Sequence, residues 1–260
     1  MLVQDIMDRS YPQLYIDELA TKARATLRSR GLRILPVVDD HKRLVGMISR
    51  GDVMAITSSI SPIRVKGVMA TLRFVATIDM DAFNAGREMI RLDEWYIAVV
   101  KSSQDYTYMG VLGLENFIDA FLKKGVAKLS KVVSEIMSTD IITCSPEDEV
   151  DNIWRLMRER SLTGLPVVKK GKVVGMVTQK NLLDSGVIFP VFEAKRGRFK
   201  ASSKISSVMK TLVISLKPTA TIKEAAELML EKNIGRVPIV DEKNRIIGVV
   251  DREDVVEALL

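Results

Sequence analysis

Four times along the chain an apolar residue followed by methionine opens a stretch of one design: Ile6-Met7, Val68-Met69, Ile136-Met137 and Val208-Met209. Counting 29 residues on from the Met, three of the four reach a Pro inside an apolar run, namely Leu35-Pro36-Val37-Val38, Leu165-Pro166-Val167-Val168 and Val237-Pro238-Ile239-Val240. The second reaches Ala98, within Tyr96-Ile97-Ala98-Val99-Val100. A polar turn and a glycine-led apolar triplet follow each run: Gly46-Met47-Ile48, Gly110-Val111-Leu112, Gly175-Met176-Val177 and Gly248-Val249-Val250. Self-similarity at fixed spacing marks stacked supersecondary units, so the chain reads as four copies of one small unit.

Within a unit the elements are legible. Thr221 and Glu224 form a capping-box pair, and Ile222, Ala225, Ala226, Met229 and Leu230 make an apolar stripe at helical spacing. Ser145-Pro146 is expected to open the matching helix of the third copy, with Val150, Ile153, Trp154 and Met157 turned inward. Two short strands follow, Pro238 to Val240 and Ile246 to Val250, joined by the turn Asp241-Glu242-Lys243-Asn244. Proline is expected at the first residue of its strand, where no ladder N–H is lost. A second helix then runs from Glu253 to Leu260. The order strand–helix–strand–strand–helix gives an α/β (α+β) class, each unit a small sheet packed with two helices. A unit of about 55 residues has too little core to be secure alone, so consecutive units are expected to pair through their sheet faces. The methionine and apolar stripes read as core rather than as a cofactor box.

Composition narrows the function classes. At 47% hydrophobic and 28% charged residues, the chain has the balance of a soluble globular protein. No apolar run reaches the roughly 18 residues that span a bilayer, and Met1 to Ser10 lacks the apolar stretch of a signal peptide. A cytoplasmic location and no membrane partner are expected. One cysteine, Cys144, and one histidine, His41, allow no intrachain disulfide and argue against a zinc site, so no metal ligand is nominated. The net charge of +6 favours anionic partners without choosing among them. His41 lies in the turn Asp39-Asp40-His41-Lys42 and reads as exposed. With no Ser/His/Asp set and no Gly-rich phosphate loop, neither a catalytic residue nor a catalytic cofactor is nominated, and the chain is expected not to be an enzyme.

The hydrophobic–Met start, the Leu-Pro-Val-Val strand, and the Gly-hydrophobic-hydrophobic-Ser/Thr-x-x-Asp segment before the last helix together resemble the cystathionine-β-synthase (CBS) domain family. Four in tandem resembles the γ subunit of AMP-activated protein kinase and archaeal four-CBS proteins. The resemblance implies units at residues 1–60, 61–124, 130–186 and 203–260, with a basic linker at 187–202. It also implies that units 1 and 2, and units 3 and 4, pair as two Bateman modules stacked as a disc. It implies a regulatory protein that binds AMP, ADP or ATP, or another adenosyl compound such as S-adenosylmethionine, in clefts between paired units. Occupancy would then be signalled to a protein partner, and a homodimer is left open.

Carried over copy by copy, the family pattern separates the clefts. The first copy matches fully, with Ser49 and Asp52 in Gly46-Met47-Ile48-Ser49-Arg50-Gly51-Asp52 and with Arg33 and Ile34 on the adenine side. Arg50, inside the motif, is nominated with them. The third copy keeps the hydroxyl at Thr178 but puts the amide Asn181 in place of the ribose carboxylate, with Thr143, Thr163 and Gly164 in support. An amide can still accept from a hydroxyl, though without charge assistance. The fourth copy offers Ser215, Arg236 and Asp254, with Asp251 in place of the hydroxyl. Two unit charges about 4 Å apart repel by roughly 4 kcal/mol at an effective dielectric of 20, so Arg236 or Arg252 would have to offset Asp251 against a phosphate. Otherwise that cleft suits an uncharged or cationic adenosyl ligand. The second copy, with Gly113 and Asn116 and with Trp95-Tyr96 crowding the slot, is expected empty or filled by its own side chains. A second reading makes Asp52 and Asp254 simple helix N-caps.

Two basic connections support a rival reading. Lys123 to Lys131 joins the modules, and Ser185 to Lys204 carries Phe189-Pro190-Val191-Phe192 and Lys195-Arg196-Gly197-Arg198-Phe199-Lys200. Aromatic residues interleaved with Arg and Lys suit RNA. This alternative is a ribosome- or RNA-associated factor with the CBS units as scaffold or sensor; a plain solvated linker is the other reading of the same residues.

Overall fold

The computed structural model describes residues 1–54, 56, 61–186 and 203–260; the basic linker 187–202, on which the RNA reading rests, lies outside the described residues. Unit 1 comprises β1 (Leu14–Tyr15), α1 (Ala20–Ser29), β2 (Ile34–Val38), β3 (Leu44–Ser49) and α2 (Arg50–Met54). Unit 2 repeats the order as β4 (Ala76–Thr77), α3 (Ala82–Arg91), β5 (Tyr96–Val100), β6 (Tyr108–Gly113) and α4 (Leu114–Lys124). Unit 3 contributes α5 (Val150–Glu159), β7 (Gly164–Lys169), β8 (Lys172–Thr178) and α6 (Gln179–Ser185). Unit 4 contributes α7 (Ile222–Glu231), β9 (Arg236–Val240), β10 (Ile246–Asp251) and α8 (Arg252–Leu259). In units 3 and 4 the first strand shrinks to a single parallel bridge, Cys144 to Val167 and Leu216 to Ile239. Among the described residues no helix is long and apolar enough to cross a membrane.

Two local expectations are corrected. Proline stands third in its strand, not first: Pro36 pairs with Met47, Pro166 with Met176 and Pro238 with Val249. The missing N–H is harmless there because it faces the short first strand. On that side only the proline carbonyl is used, as in Cys144 N donating to Pro166 O at 3.1 Å and Leu216 N to Pro238 O at 3.1 Å. The helix of unit 3 begins at Val150, not at Ser145-Pro146. Ser145 N donates to the Asp148 carboxylate at 2.8 Å and Asp148 N to Ser145 O at 3.1 Å, closing a separate turn ahead of the helix. The capping box predicted at Thr221 and Glu224 is present at the start of α7.

The hydrophobic–Met step of each unit docks on the sheet of its partner. Met47 N and Ala70 O are bonded at 3.1 Å, Asp8 N and Val111 O at 2.8 Å, Met176 N and Lys210 O at 2.9 Å, and Ser138 N and Val249 O at 2.9 Å. This exchange explains the recurring glycine. A Cβ on Gly46 would stand 2.8 Å from Met69 Sδ, one on Gly175 2.8 Å from Met209 Sδ, and one on Gly248 2.5 Å from Met137 Sδ. At Gly110 the intruding atom would be Asp8 O at 2.5 Å. The methionine and the glycine, far apart in sequence, are the two halves of one contact between paired units.

Burial then joins the two pairs. Helices and sheets of units 1 and 3 share one core, in which Leu27, Leu35, Ile48 and Val53 meet Ile153, Met157, Leu165 and Leu182. Units 2 and 4 share another, in which Met89, Phe117, Ile118 and Phe121 meet Ala226, Met229, Val255 and Leu259. The sheet-to-sheet seam of units 1 and 2 is smaller, built on Leu44, Ala98 and Val100. The sequence-based expectation placed the remedy for small cores between consecutive units; the larger apolar volume is shared across the modules. Each unit thus touches its sheet partner through one face and a unit of the other module through its helices.

Candidate functional site

The segment that feeds the last helix of each unit has one geometry in all four copies. The side chain three residues after the N-cap reaches back to the N-cap N–H: Asp52 Oδ2 to Ser49 N at 2.6 Å, Asn116 Oδ1 to Gly113 N at 2.7 Å, Asn181 Oδ1 to Thr178 N at 3.0 Å and Asp254 Oδ2 to Asp251 N at 2.7 Å. Asp52 and Asp254 therefore do cap their helices, but from the third helical position rather than as the N-cap itself. The same atoms also take the N-cap hydroxyl, Ser49 Oγ at 2.7 Å and Thr178 Oγ1 at 2.7 Å. In unit 3 this commits the only acceptor oxygen of Asn181 twice over. Asp52 differs because its second oxygen, Oδ1, makes no hydrogen bond among the described residues.

A cavity of about 800 Å³ lies where the four units meet. Its wall includes the predicted residues Arg33, Ile34, Ser49, Arg50, Asp52, Thr163, Arg236 and Asp254. Gly164, Thr178, Asn181, Thr143 and Ser215 do not line it. The cleft of unit 1 is completed by Ala70, Thr71 and Leu72, which belong to the segment exchanged from unit 2. Trp154, Arg158 and Arg160 of unit 3 enter the same wall. Sequence reasoning missed the exchanged residues because the family motif is written within one unit, and it took Trp154 as pure core. Among the described residues no group of three or more His, Cys, Asp or Glu side chains could hold a metal ion.

What separates the clefts is the pair of residues at the start of the strand that carries Pro or, in unit 2, Ala98. In unit 1 these are Arg33 and Ile34; the Ile34 carbonyl already accepts from the Tyr11 hydroxyl at 3.0 Å. Arg50, on the same wall, donates to Leu32 O at 2.7 Å and to Gly31 O at 2.5 Å, ties within unit 1 that engage its guanidinium. Burial and the nearby Arg33 charge lower its pKa to about 10. In unit 2 Tyr96 fills its own slot: a Cβ on Gly113 would meet the Tyr96 ring at 2.8 Å. Arg252, 2% exposed, crosses from unit 4 to bond the Tyr96 hydroxyl at 3.2 Å and Glu115 at 3.0 Å, and it holds Asn233 of its own unit at 3.3 Å. Burial, then the Glu115 charge, pushes the Tyr96 hydroxyl up to about 12.

In unit 4 Arg236 pairs with Asp251 at 2.7 Å and donates to Gly164 O of unit 3 at 2.8 Å. Of the two arginines expected to offset Asp251, Arg236 does so and Arg252 does not. Glu253 accepts from Trp95 Nε1 at 3.0 Å, and burial followed by the Asp93 charge raises its carboxyl to about 7. Asp254 is likewise raised to about 7, by burial first and then by Asp251.

A family model described as CBS domain matches residues 3–58, 133–187 and 205–260. The chain belongs to the CBS domain family. The second CBS unit, with its tyrosine-filled slot, lies outside the matched stretches. The chain is 35% identical over 130 residues to inosine-5'-monophosphate dehydrogenase of Korarchaeum cryptofilum, a match that spans 50% of this chain and 25% of that enzyme. It is 25% identical over 268 residues to protein MJ1225 of Methanocaldococcus jannaschii, covering 91% of this chain and 90% of that one. The crystal structure of MJ1225, described as a proposed archaeal homolog of γ-AMPK, aligns over 100% of both chains with a TM-score of 0.88 at 21% identity. A conserved protein of Pyrococcus horikoshii aligns over both full chains at 0.68 and 20% identity. At these identities the likeness shows a common four-unit CBS fold, two Bateman modules in one chain.

Proposed function

We propose that this CBS protein is regulatory and not catalytic, that its first cleft binds an adenine nucleotide, and that occupancy is passed to a protein partner through the packing of the four units. The observation that carries the reading is Asp52. One carboxylate oxygen caps α2 and the other, without a hydrogen bond among the described residues, belongs to a side chain on the wall of the cavity. A ribose diol needs such a fixed, unspent acceptor, and bonds to an ionised carboxylate are the strong ones. Ile34 and Met47 offer the base an apolar wall, while Arg33, Arg158 and Arg160 supply positive charge toward the centre. Because the cavity wall draws on all four units, a ligand that prefers one spacing of the units over another shifts their packing, and only that difference in affinity drives the shift.

Calorimetric titration of nucleic-acid-free protein with AMP, ADP, ATP and S-adenosylmethionine tests the reading. Saturable binding of a phosphorylated adenosine is expected. No heat from any of the four, together with no change in melting temperature, overturns it and leaves the clefts as scaffolding.

A further inference from the structure

Each module joins the hairpin turns of its two sheets at one rim. In the second module, units 3 and 4, turn 169–172 meets turn 241–245, with Ile246 N donating to Gly171 O at 3.4 Å and a bridge between Lys172 and Arg245. In the first module, turn 39–43 meets turn 101–107 in the same way, Leu44 N donating to Tyr106 O at 2.9 Å. The two rims differ in charge. In the first, Asp39, Asp40 and Asp105 stand against Lys42, Arg43 and Lys101. In the second, Lys169, Lys170, Lys172 and Lys243 are exposed and make no ion pair among the described residues. The acids there are engaged, Asp241 with Arg245 at 2.7 Å and Glu242 with Lys217 at 3.6 Å.

The segment that crosses from β8 to the sheet of unit 4 adds an apolar point. Lys210 N bonds Met176 O at 2.8 Å, Lys217 Nζ donates to Asp241 O at 2.7 Å, and between them Leu212 is 94% exposed. Its equivalent in the first module, Leu72, packs on Leu44, Ala98, Val100 and Tyr108. Val173 and Ile246, smaller side chains, stand where the first module has Leu44 and Tyr108. Asp140 holds the matching place in the crossing segment of unit 3 and is the one acid at these positions without an ion pair among the described residues.

We propose that this rim of the second module is a peripheral docking face for a bilayer rich in anionic headgroups, the lysines meeting the headgroups and Leu212 entering the acyl boundary. Each lysine near such a surface adds attraction, and an exposed apolar side chain adds what charge alone lacks. A second copy of the chain would bring like charges together. Single-stranded RNA wants rings to stack on, and neither turn nor residues 210–217 carry an aromatic side chain. The expectation of no membrane partner rested on spanning runs, which a peripheral face does not need. None of these residues lines the cavity, so the nucleotide cleft is not involved.

The test is co-sedimentation of the full chain with vesicles of phosphatidylcholine alone and of phosphatidylcholine mixed equally with phosphatidylglycerol. Wild type is compared with Lys169→Gln, Lys170→Gln and Lys172→Gln combined, with Leu212→Ser, and with Lys42→Gln, Arg43→Gln and Lys101→Gln combined on the other rim. Wild type is expected on the mixed vesicles and not on the neutral ones, with binding that weakens as salt is raised. The lysine variant should bind at least about tenfold more weakly, Leu212→Ser about tenfold more weakly at an unchanged melting temperature, and the variant of the first rim like wild type. No binding to the mixed vesicles, a lysine variant that binds like wild type, or an equal loss from the first rim overturns the proposal. So does wild-type affinity in Leu212→Ser, since a face that ignores its leucine is a general polyanion surface. A labelled uridine oligonucleotide bound more tightly than the mixed vesicles, and released by the same three lysine changes, overturns it in favour of RNA.

Discussion

Units 1 and 2 sit side by side with the same strand order and the same helix cap, yet one presents a cleft and the other a filled slot. Asp52 and Asn116 both reach back to their N-cap N–H, at 2.6 and 2.7 Å. Since the cap is common to all four copies, the residue at that place is no evidence for a ligand by itself. The difference lies in the residue that opens β2 in unit 1 and β5 in unit 2. Ile34 leaves a wall, whereas Tyr96 lies over Gly113 and draws in Arg252 and Glu115. A cleft is kept open by what the strand does not carry.

The largest expected effect breaks the filled slot. Arg252→Ala strands Glu115, Tyr96 and Asn233 around a buried hole, and removing one member of a buried charged pair costs about 3–5 kcal/mol. Denaturant unfolding should show that loss, and a loss under about 1 kcal/mol would mean water replaces the guanidinium at the seam. Next comes the exchange between paired units. Gly248→Ala drives a Cβ to 2.5 Å from Met137 Sδ and should cost about 1–3 kcal/mol, as overpacking does. An unchanged unfolding midpoint would show that the methionine step yields freely.

A smaller pair sharpens the comparison itself. Asp52→Ala and Asn116→Ala each lose the cap contact and should each destabilise by about 1 kcal/mol. A much larger loss at either one would give that side chain a role beyond the cap.

The smallest effect is a slope with pH. Glu253 and Asp254 are both raised to about 7 from ordinary values of 4.5 and 3.8. Between those limits the folded chain holds more protons than the unfolded one, so stability is fullest below pH 4 to 5 as far as these groups go and falls as pH rises through 7. Melting temperatures should be lower at pH 8 than at pH 6, and Glu253→Gln should flatten the difference. A variant as steep as wild type would place the slope elsewhere.

Much of this was legible in the residues. The period of Met, Pro or Ala, and Gly gave four units, and the small core of each gave the expectation that they pair. The exchange of the methionine segment was not legible. Met69 touching Gly46 and Met137 touching Gly248 look alike in sequence whether the contact is within a unit or between two. Nor was the sharing of cores across modules, because the stripe of α5 looks the same whether it covers its own sheet or also meets unit 1. For the site, Asp52, Arg33, Thr163 and Arg236 fell on the cavity wall, while Thr143, Gly164 and Ser215 fell elsewhere because a motif fixes position along the chain and not the direction of a side chain.

The central claim is that Asp52 serves a ligand as well as a helix and Asn116 only a helix. Equilibrium binding of AMP to wild type, Asp52→Ala and Asn116→Ala, measured side by side, tests it most directly. The expected result is affinity at least about tenfold weaker in Asp52→Ala, the 1.4 kcal/mol scale of one lost charge-assisted contact, with Asn116→Ala matching wild type. Equal affinity in all three chains would contradict it.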